Sequence, residues 1–209
     1  GLYTNKDYGN VRGLEIKLDA GYDNFTVMTN YTLQYTRGVA DSPSQAFSRE
    51  GNSQDPITTL IPMSWDQRHT FNATVAYNIN NFGLSLTGYY NSGSPYTFSP
   101  LEESRLSRIN LYPNNDYKPA RYSADLVTYY NLPVYKDYKI NFRLAVYNLF
   151  DRLNEGWVNG NTGRAYTAII RDTDLAGHRS DFNEYIDRVQ NPSMFSTPRM
   201  FKFSMGVNF

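Results

Sequence analysis

Apolar and polar residues alternate strictly from Leu14 onward. Leu14, Ile16, Leu18, Ala20 and Tyr22 fall on one side, and Glu15, Lys17, Asp19 and Gly21 on the other. A period of two predicts a β-strand with one face withdrawn from water. After Asp23-Asn24, Phe25, Val27, Thr29, Tyr31, Leu33 and Tyr35 alternate with Thr26, Met28, Asn30, Thr32, Gln34 and Thr36, so the two runs predict a long hairpin. The unit recurs at Phe71, Ala73, Val75, Tyr77 and Ile79, turning at Asn80-Asn81 into Phe82, Leu84, Leu86, Gly88 and Tyr90. A third hairpin runs from Tyr122 to Leu132, turns between Pro133 and Tyr138, and returns from Ile140 to Phe150. Phe201, Phe203, Met205, Val207 and Phe209 mark a seventh strand.

Between the hairpins lie irregular stretches at about 38 to 65, 92 to 120 and 151 to 198, rich in Gly, Pro, Ser, Asn and charge. Loops above about 15 residues are uncommon inside compact domains. Tight turns alternating with long loops match the short periplasmic turns and long extracellular loops of outer-membrane barrels. A soluble sandwich also alternates, but its strands average about 5–6 residues. These runs hold register for about 9 to 13, close to the 9–11 tilted residues that cross a bilayer. None of the apolar-side positions above is charged. That matters because Arg or Lys at a bilayer midplane costs about 2–4 kcal/mol. The opposite side is Asn, Thr, Ser, Gly and Gln with a few ions (Lys17, Asp125, Arg143, Lys202), which suits a wet or plugged lumen. Tyr22/Phe25, Tyr77/Phe82 and Tyr135/Tyr138 flank the tight turns as a periplasmic aromatic girdle would.

Composition narrows the picture further. Mean hydropathy is −0.59 and no apolar run approaches the ~18 residues of a spanning helix, so any membrane crossing has to use strands. Formal net charge is zero, which gives no electrostatic reason to expect nucleic acid as a partner. With no cysteine, disulfides, thiolate chemistry and Cys-based metal sites are excluded. Gly1-Leu2-Tyr3-Thr4-Asn5 has neither a basic nor an apolar leader region, so a signal peptide is expected to have been removed or to lie upstream.

Strand parity adds an expectation. Single-chain bacterial barrels have even strand counts, and an open edge in hydrocarbon would cost several kcal/mol for each unsatisfied backbone group. Seven strands therefore predict that residues 1–209 are the C-terminal segment of a larger transmembrane antiparallel up-and-down β-barrel whose earlier strands lie elsewhere.

Four short motifs carry a resemblance. YTNKDYGNVRGLE (3–15), WDQRHTF (65–71), NLFD (148–151) and PRMFKFSMGVNF (198–209) stand in the order of late barrel strands of the TonB-dependent outer-membrane transporters, and the whole chain resembles that family. The resemblance implies a 22-stranded barrel with an N-terminal plug, in which these are strands 16–22. It implies import of a scarce bulky nutrient (ferric chelate, cobalamin, glycan or peptide class) energised by TonB. It also implies a Gram-negative outer-membrane location with the C-terminus in the periplasm, and no cofactor. Phe203, Met205, Val207 and Phe209 would then face lipid and form the signal read by the barrel-assembly machinery. A small barrel acting as adhesin or surface receptor is the alternative, and a barrel hydrolase a more remote one.

Trp65, Tyr96, Tyr112, Trp157, Arg164 and Tyr166 are candidates for contacting a large polar ligand at the outer mouth, because aromatic platforms and guanidinium forks recur at such sites. Loop packing would use the same residue types. His69 and His178 are the only histidines, hence the only ones a hydrolase could use. Asp172, Asp174, Asp181, Glu184 and Asp187 could offer oxygen ligands to calcium, although their spacing fits no calcium loop and a solvated acidic loop is expected.

Overall fold

A computed structural model describes residues 8–53, 57–101, 104–105, 112–135, 138–177, 184 and 191–208. Seven long strands follow one another as an antiparallel meander: β1 (Gly9–Tyr22), β2 (Phe25–Gly38), β4 (His69–Ile79), β5 (Phe82–Asn91), β8 (Arg121–Tyr135), β9 (Tyr138–Tyr147) and β10 (Met200–Asn208). Short β3 (Ile61–Pro62) extends β2 at its loop end, and β6 (Pro95–Tyr96) pairs β7 (Asp116–Tyr117) within the second long loop.

The register joins the seven apolar faces into one. Side chains directly opposite each other share a face, and one row reads Ala20, Val27, Val75, Leu86, Leu126, Val146, Phe201. The row two residues nearer the turns reads Tyr22, Phe25, Tyr77, Leu84, Thr128, Leu144, Phe203. No second layer of described residues covers this surface: Leu14, Ile16, Phe71, Leu86 and Phe203 all rank among the exposed large apolar side chains. In a sandwich the same face would be the core.

Turn chemistry closes the hairpins. Asp23 (φ 52°) and Asn80 (φ 48°) take the left-handed backbone that Asp and Asn tolerate best among residues with a Cβ. Phe25 and Tyr77 meet across the turn end with ring centroids 4.6 Å apart. The Pro133-to-Tyr138 stretch, expected to be a turn, is mostly strand: β8 continues to Tyr135 through a register shift at Pro133/Tyr135, and β9 resumes at Tyr138. At its other end β9 stops at Tyr147 instead of reaching Phe150, because Asn148 (φ 53°) and Asp151 (φ 52°) turn the chain away.

The sheet is open, with β1 and β10 as its edges, and these strands do not by themselves close into a barrel. An odd number of antiparallel strands makes these edges run the same way, so joining them would require one parallel seam among antiparallel neighbours. The described parts of the long loops also carry regular elements that an irregular reading does not anticipate. Helix α1 (Pro43–Gly51) starts where Ser42 Oγ accepts the Gln45 N–H at 3.2 Å and Pro43 stands at the first turn, where its missing N–H costs nothing. Helix α2 (Asp172–Ala176) lies in the third loop.

Candidate functional site

The buried residues collect at the loop end. Ile61, Met63, Thr36, Asp66, Tyr96, Asn114, Asn148, Asn154, Glu155 and Ala165 are all buried there, in or beside the three long loops. Many are polar, and each replaces a partner that the backbone ladder lacks where strands give way to loop.

Asp66 is fully enclosed. It accepts the Thr36 N–H at 2.7 Å through Oδ1, while Oδ2 takes Arg68 at 3.0 Å and the Tyr117 hydroxyl at 3.3 Å. One carboxylate thus ties β2, the foot of β4 and the second loop. Arg68 also lies over the Tyr35 ring at 4.0 Å, a cation–π arrangement. Burial opposes its charge, but the Asp66 bond outweighs that and raises the guanidinium above its ordinary value. Burial raises the Tyr117 hydroxyl, and the neighbouring Asp66 charge adds to it.

Asn114 bridges the first two loops by donating to Asp41 at 2.7 Å and to the Pro62 carbonyl at 3.0 Å. The third loop docks on the second where Ser99 N–H reaches the Gly160 carbonyl at 2.9 Å. Gly163 (φ 69°) passes so close to the Tyr96 hydroxyl that a Cβ there would collide with it. Asn154 pairs with both backbone groups of Tyr122, at 2.9 and 2.8 Å, as a strand neighbour would. Asn148 takes Asp125 on its N–H and sends its amide to the carbonyls of Arg152 and Thr197. Asp151 holds the start of β10 through the Arg199 N–H at 2.8 Å, and this bond keeps its carboxyl below the usual range.

The six candidate ligand contacts separate into two sets. Tyr96 and Arg164 are engaged inside the loops. Burial, reinforced by its bond to Asp116 at 2.9 Å, pushes the Tyr96 hydroxyl up to about 12. Arg164 forks onto Glu155 at 2.6 and 2.9 Å. Burial pushes the Glu155 carboxyl up, but Arg164 and the Ala165 N–H more than reverse this and leave it below its ordinary value. Trp65, Tyr112, Trp157 and Tyr166 face solvent. Trp157, 71% exposed, carries the Lys118 ammonium 5.7 Å from its ring centroid, and Tyr166 meets Phe195 edge to face at 4.5 Å. Among the described residues, no ring–ring contact joins two of the six.

His69 bonds the Tyr31 hydroxyl through Nδ1 at 2.9 Å. His178, Asp181, Asp187 and Phe209 lie outside the described residues. Asp174 is held by Arg171 at 3.1 Å, which keeps its carboxyl low, and no cluster of three acids or histidines suited to a metal occurs among the described residues. Phe203, Met205 and Val207 stand exposed on the edge strand β10.

The polar face carries a second feature, a concavity of about 610 Å³ toward the turn end of β4, β5, β8 and β9. Asn78, Ser85, Tyr129, Asn131, Asn141 and Arg143 supply its polar lining, and Leu84 is the only lining residue of apolar-face parity. In the alternation Arg143 is one of a few ions on the polar side, and nothing in the pattern gives it a role. Nor does it mark Asp66, Asn148 and Asn154 as buried pins, although Asp66 and Asn148 sit inside the WDQRHTF and NLFD motifs.

Comparison with known protein families, curated proteins and solved structures finds no match to this chain.

Proposed function

We propose that this chain forms wall, outer vestibule and C-terminal assembly signal of an outer-membrane β-barrel of the TonB-dependent transporter type, importing a scarce bulky nutrient. The carrying observation is the single apolar face that register extends across seven long strands, free of charge in its central rows and, apart from Ala124 and Val146 near the loop end, not buried by protein. Such a face belongs against acyl chains, since water would leave an apolar surface far larger than soluble proteins expose. The motif order supports the family: Asp66, Arg68, Asn148 and Asp151 each make the polar contacts that end or begin a strand. On this reading the barrel has 22 strands, these are strands 16–22, and β1 and β10 pair with strands beyond the seven. The exposed Trp65, Tyr112, Trp157 and Tyr166 would meet the nutrient from the loop side. TonB would act through a plug domain, and the barrel-assembly machinery would engage β10.

The absence of cysteine makes the test direct. Single cysteines at Ile16, Leu86 and Phe203, and at Lys17, Ser85 and Ser204, are labelled with a polarity-sensitive fluorophore in protein extracted with detergent and returned to lipid. The first three should emit as in hydrocarbon and the second three as in water. A monodisperse fold in plain buffer, or equal emission from both sets, would sink the reading.

A further inference from the structure

The concavity on the polar face is more than a curve in the wall. Asn78, Gly83, Tyr129, Arg143 and Ser204 form one register row across β4, β5, β8, β9 and β10. Tyr129 donates its hydroxyl to Asn78 Oδ1 at 3.1 Å, two strands away. Strands lie about 4.8 Å apart, so the ring has to lie low across β5 to reach. It can do so because position 83 is glycine: a Cβ there would collide with the Tyr129 ring. The ring thus floors the hollow.

The polar groups around that floor have an unbalanced inventory. Asn141 donates to Asn131 Oδ1 at 2.6 Å, which leaves the Asn131 NH2 and the Asn141 carbonyl for a ligand. Asn78 spends its oxygen on Tyr129 and keeps its NH2. Arg143 has no acidic partner among the described residues, and all five of its N–H donors are available. Lys202 is one row away on the same face. Donors therefore outnumber acceptors, which selects an acceptor-rich, anionic ligand. A guanidinium fork matches a planar carboxylate, an aromatic floor suits the C–H face of a sugar ring, and amides and Ser85 suit ring hydroxyls. The volume falls within the range of about 300–1,000 Å³ typical of small-ligand pockets.

We propose that this concavity binds a carboxylated sugar, with Arg143 on the carboxylate, Tyr129 beneath the ring, and Asn78, Asn131, Asn141 and Ser85 on its hydroxyls. The site uses the face opposite the lipid-facing one, and in the barrel proposed above it rests on the plug domain leaving this stretch of the lumen wall clear. The test is titration calorimetry on the full chain in detergent micelles, with D-glucuronate, D-glucose and acetate as probes. Glucuronate should bind at least about tenfold more tightly than either glucose or acetate. Arg143→Gln should bring glucuronate down to the glucose level, Arg143→Lys should fall between, and Tyr129→Phe, which keeps the ring, should stay within about threefold of the parent. Arg143 makes no internal bond among the described residues, so its variants are expected to fold, checked by the strand signal in circular dichroism. Equal binding of glucose and glucuronate, an unchanged Arg143→Gln variant, acetate as good as glucuronate, or no binding of any probe would each overturn the proposal. The cysteine-labelling pattern remains independent of all four outcomes.

Discussion

The two ends of the same sheet are built by opposite rules. At the turn end, the links at Asp23-Asn24 and Asn80-Asn81 and the ends of β8 and β9 leave Tyr22, Phe25, Tyr135 and Tyr138 exposed, and among the described residues only Gly83, beneath the Tyr129 ring, is buried. At the loop end, enclosed carboxylates and amides (Asp66, Asn114, Asn148, Asn154, Glu155) bond backbone and side chains of neighbouring segments. What passes for a core therefore lies among the loops, and the strand region between the ends has none. A soluble domain distributes these features the other way round, with its strands around the core and its loops outside. The contrast teaches that the strands rely on their surroundings to cover their apolar side, while the loop end satisfies most of its own buried polar groups, with Arg68 Nε, Asn91 Oδ1 and Asn161 Oδ1 as exceptions.

Removing a loop-end pin is the severest way to break that contrast. Asp66→Ala leaves the Thr36 N–H, the Tyr117 hydroxyl and Arg68 without their shared acceptor, and loss of one partner of a buried pair costs about 3–5 kcal/mol. Thermal denaturation followed by circular dichroism in detergent should register this as a large fall in Tm, and a fall of only a few degrees would show that the pin is dispensable.

Next comes a charge placed where no core exists. Leu86→Arg should cost about 2–4 kcal/mol in a bilayer, and Ser85→Arg, one residue away on the other face, close to nothing. Equal effects of the two substitutions in folding titrations into lipid vesicles would remove the asymmetry between faces. Asn154→Ala exposes the less severe side of the loop logic, since Tyr122 loses both backbone partners. The expected cost is about 1–3 kcal/mol, read from the same melts. Its value lies in the comparison with Asn24→Ala at the turn end, which should change the melt little.

The smallest effect is a pH dependence confined to the loop end. Tyr96 keeps its proton in the fold up to about 12, against an ordinary value of 10.0. The folded state then binds more protons than the unfolded chain between those two values, so stability present below pH 10 declines as pH rises toward 12. Tyr96→Phe should abolish that part of the decline while lowering stability slightly at neutral pH through loss of the Asp116 bond. A parent and a variant with the same slope above pH 10 would show that Tyr96 titrates as it would in water.

Much of the architecture was legible because it is local. Alternation at Leu14–Tyr22 or Phe71–Ile79 specifies a strand and its two faces without reference to any partner, and Asp23 and Asn80 announce the turns that fix register. The run into Pro133 misled, because proline usually ends a strand, yet here the chain absorbs it at a register shift. Helix α1 carried its own cap in Ser42-Pro43 but sat inside a stretch whose composition reads as loop.

The amino-acid sequence alone thus determined the seven long strands, the order of hairpins and which residues share a side, since each follows from chain neighbours, but not the two-residue strands β3, β6 and β7. Only the tertiary structure decided that Asp41 meets Asn114 across 73 positions, that Tyr129 lies over Gly83, that Arg143 has no acidic partner among the described residues, and that the sheet stays open. Those outcomes depend on which strand lies beside which and on distances in space, and a one-dimensional pattern of apolar and polar residues encodes neither.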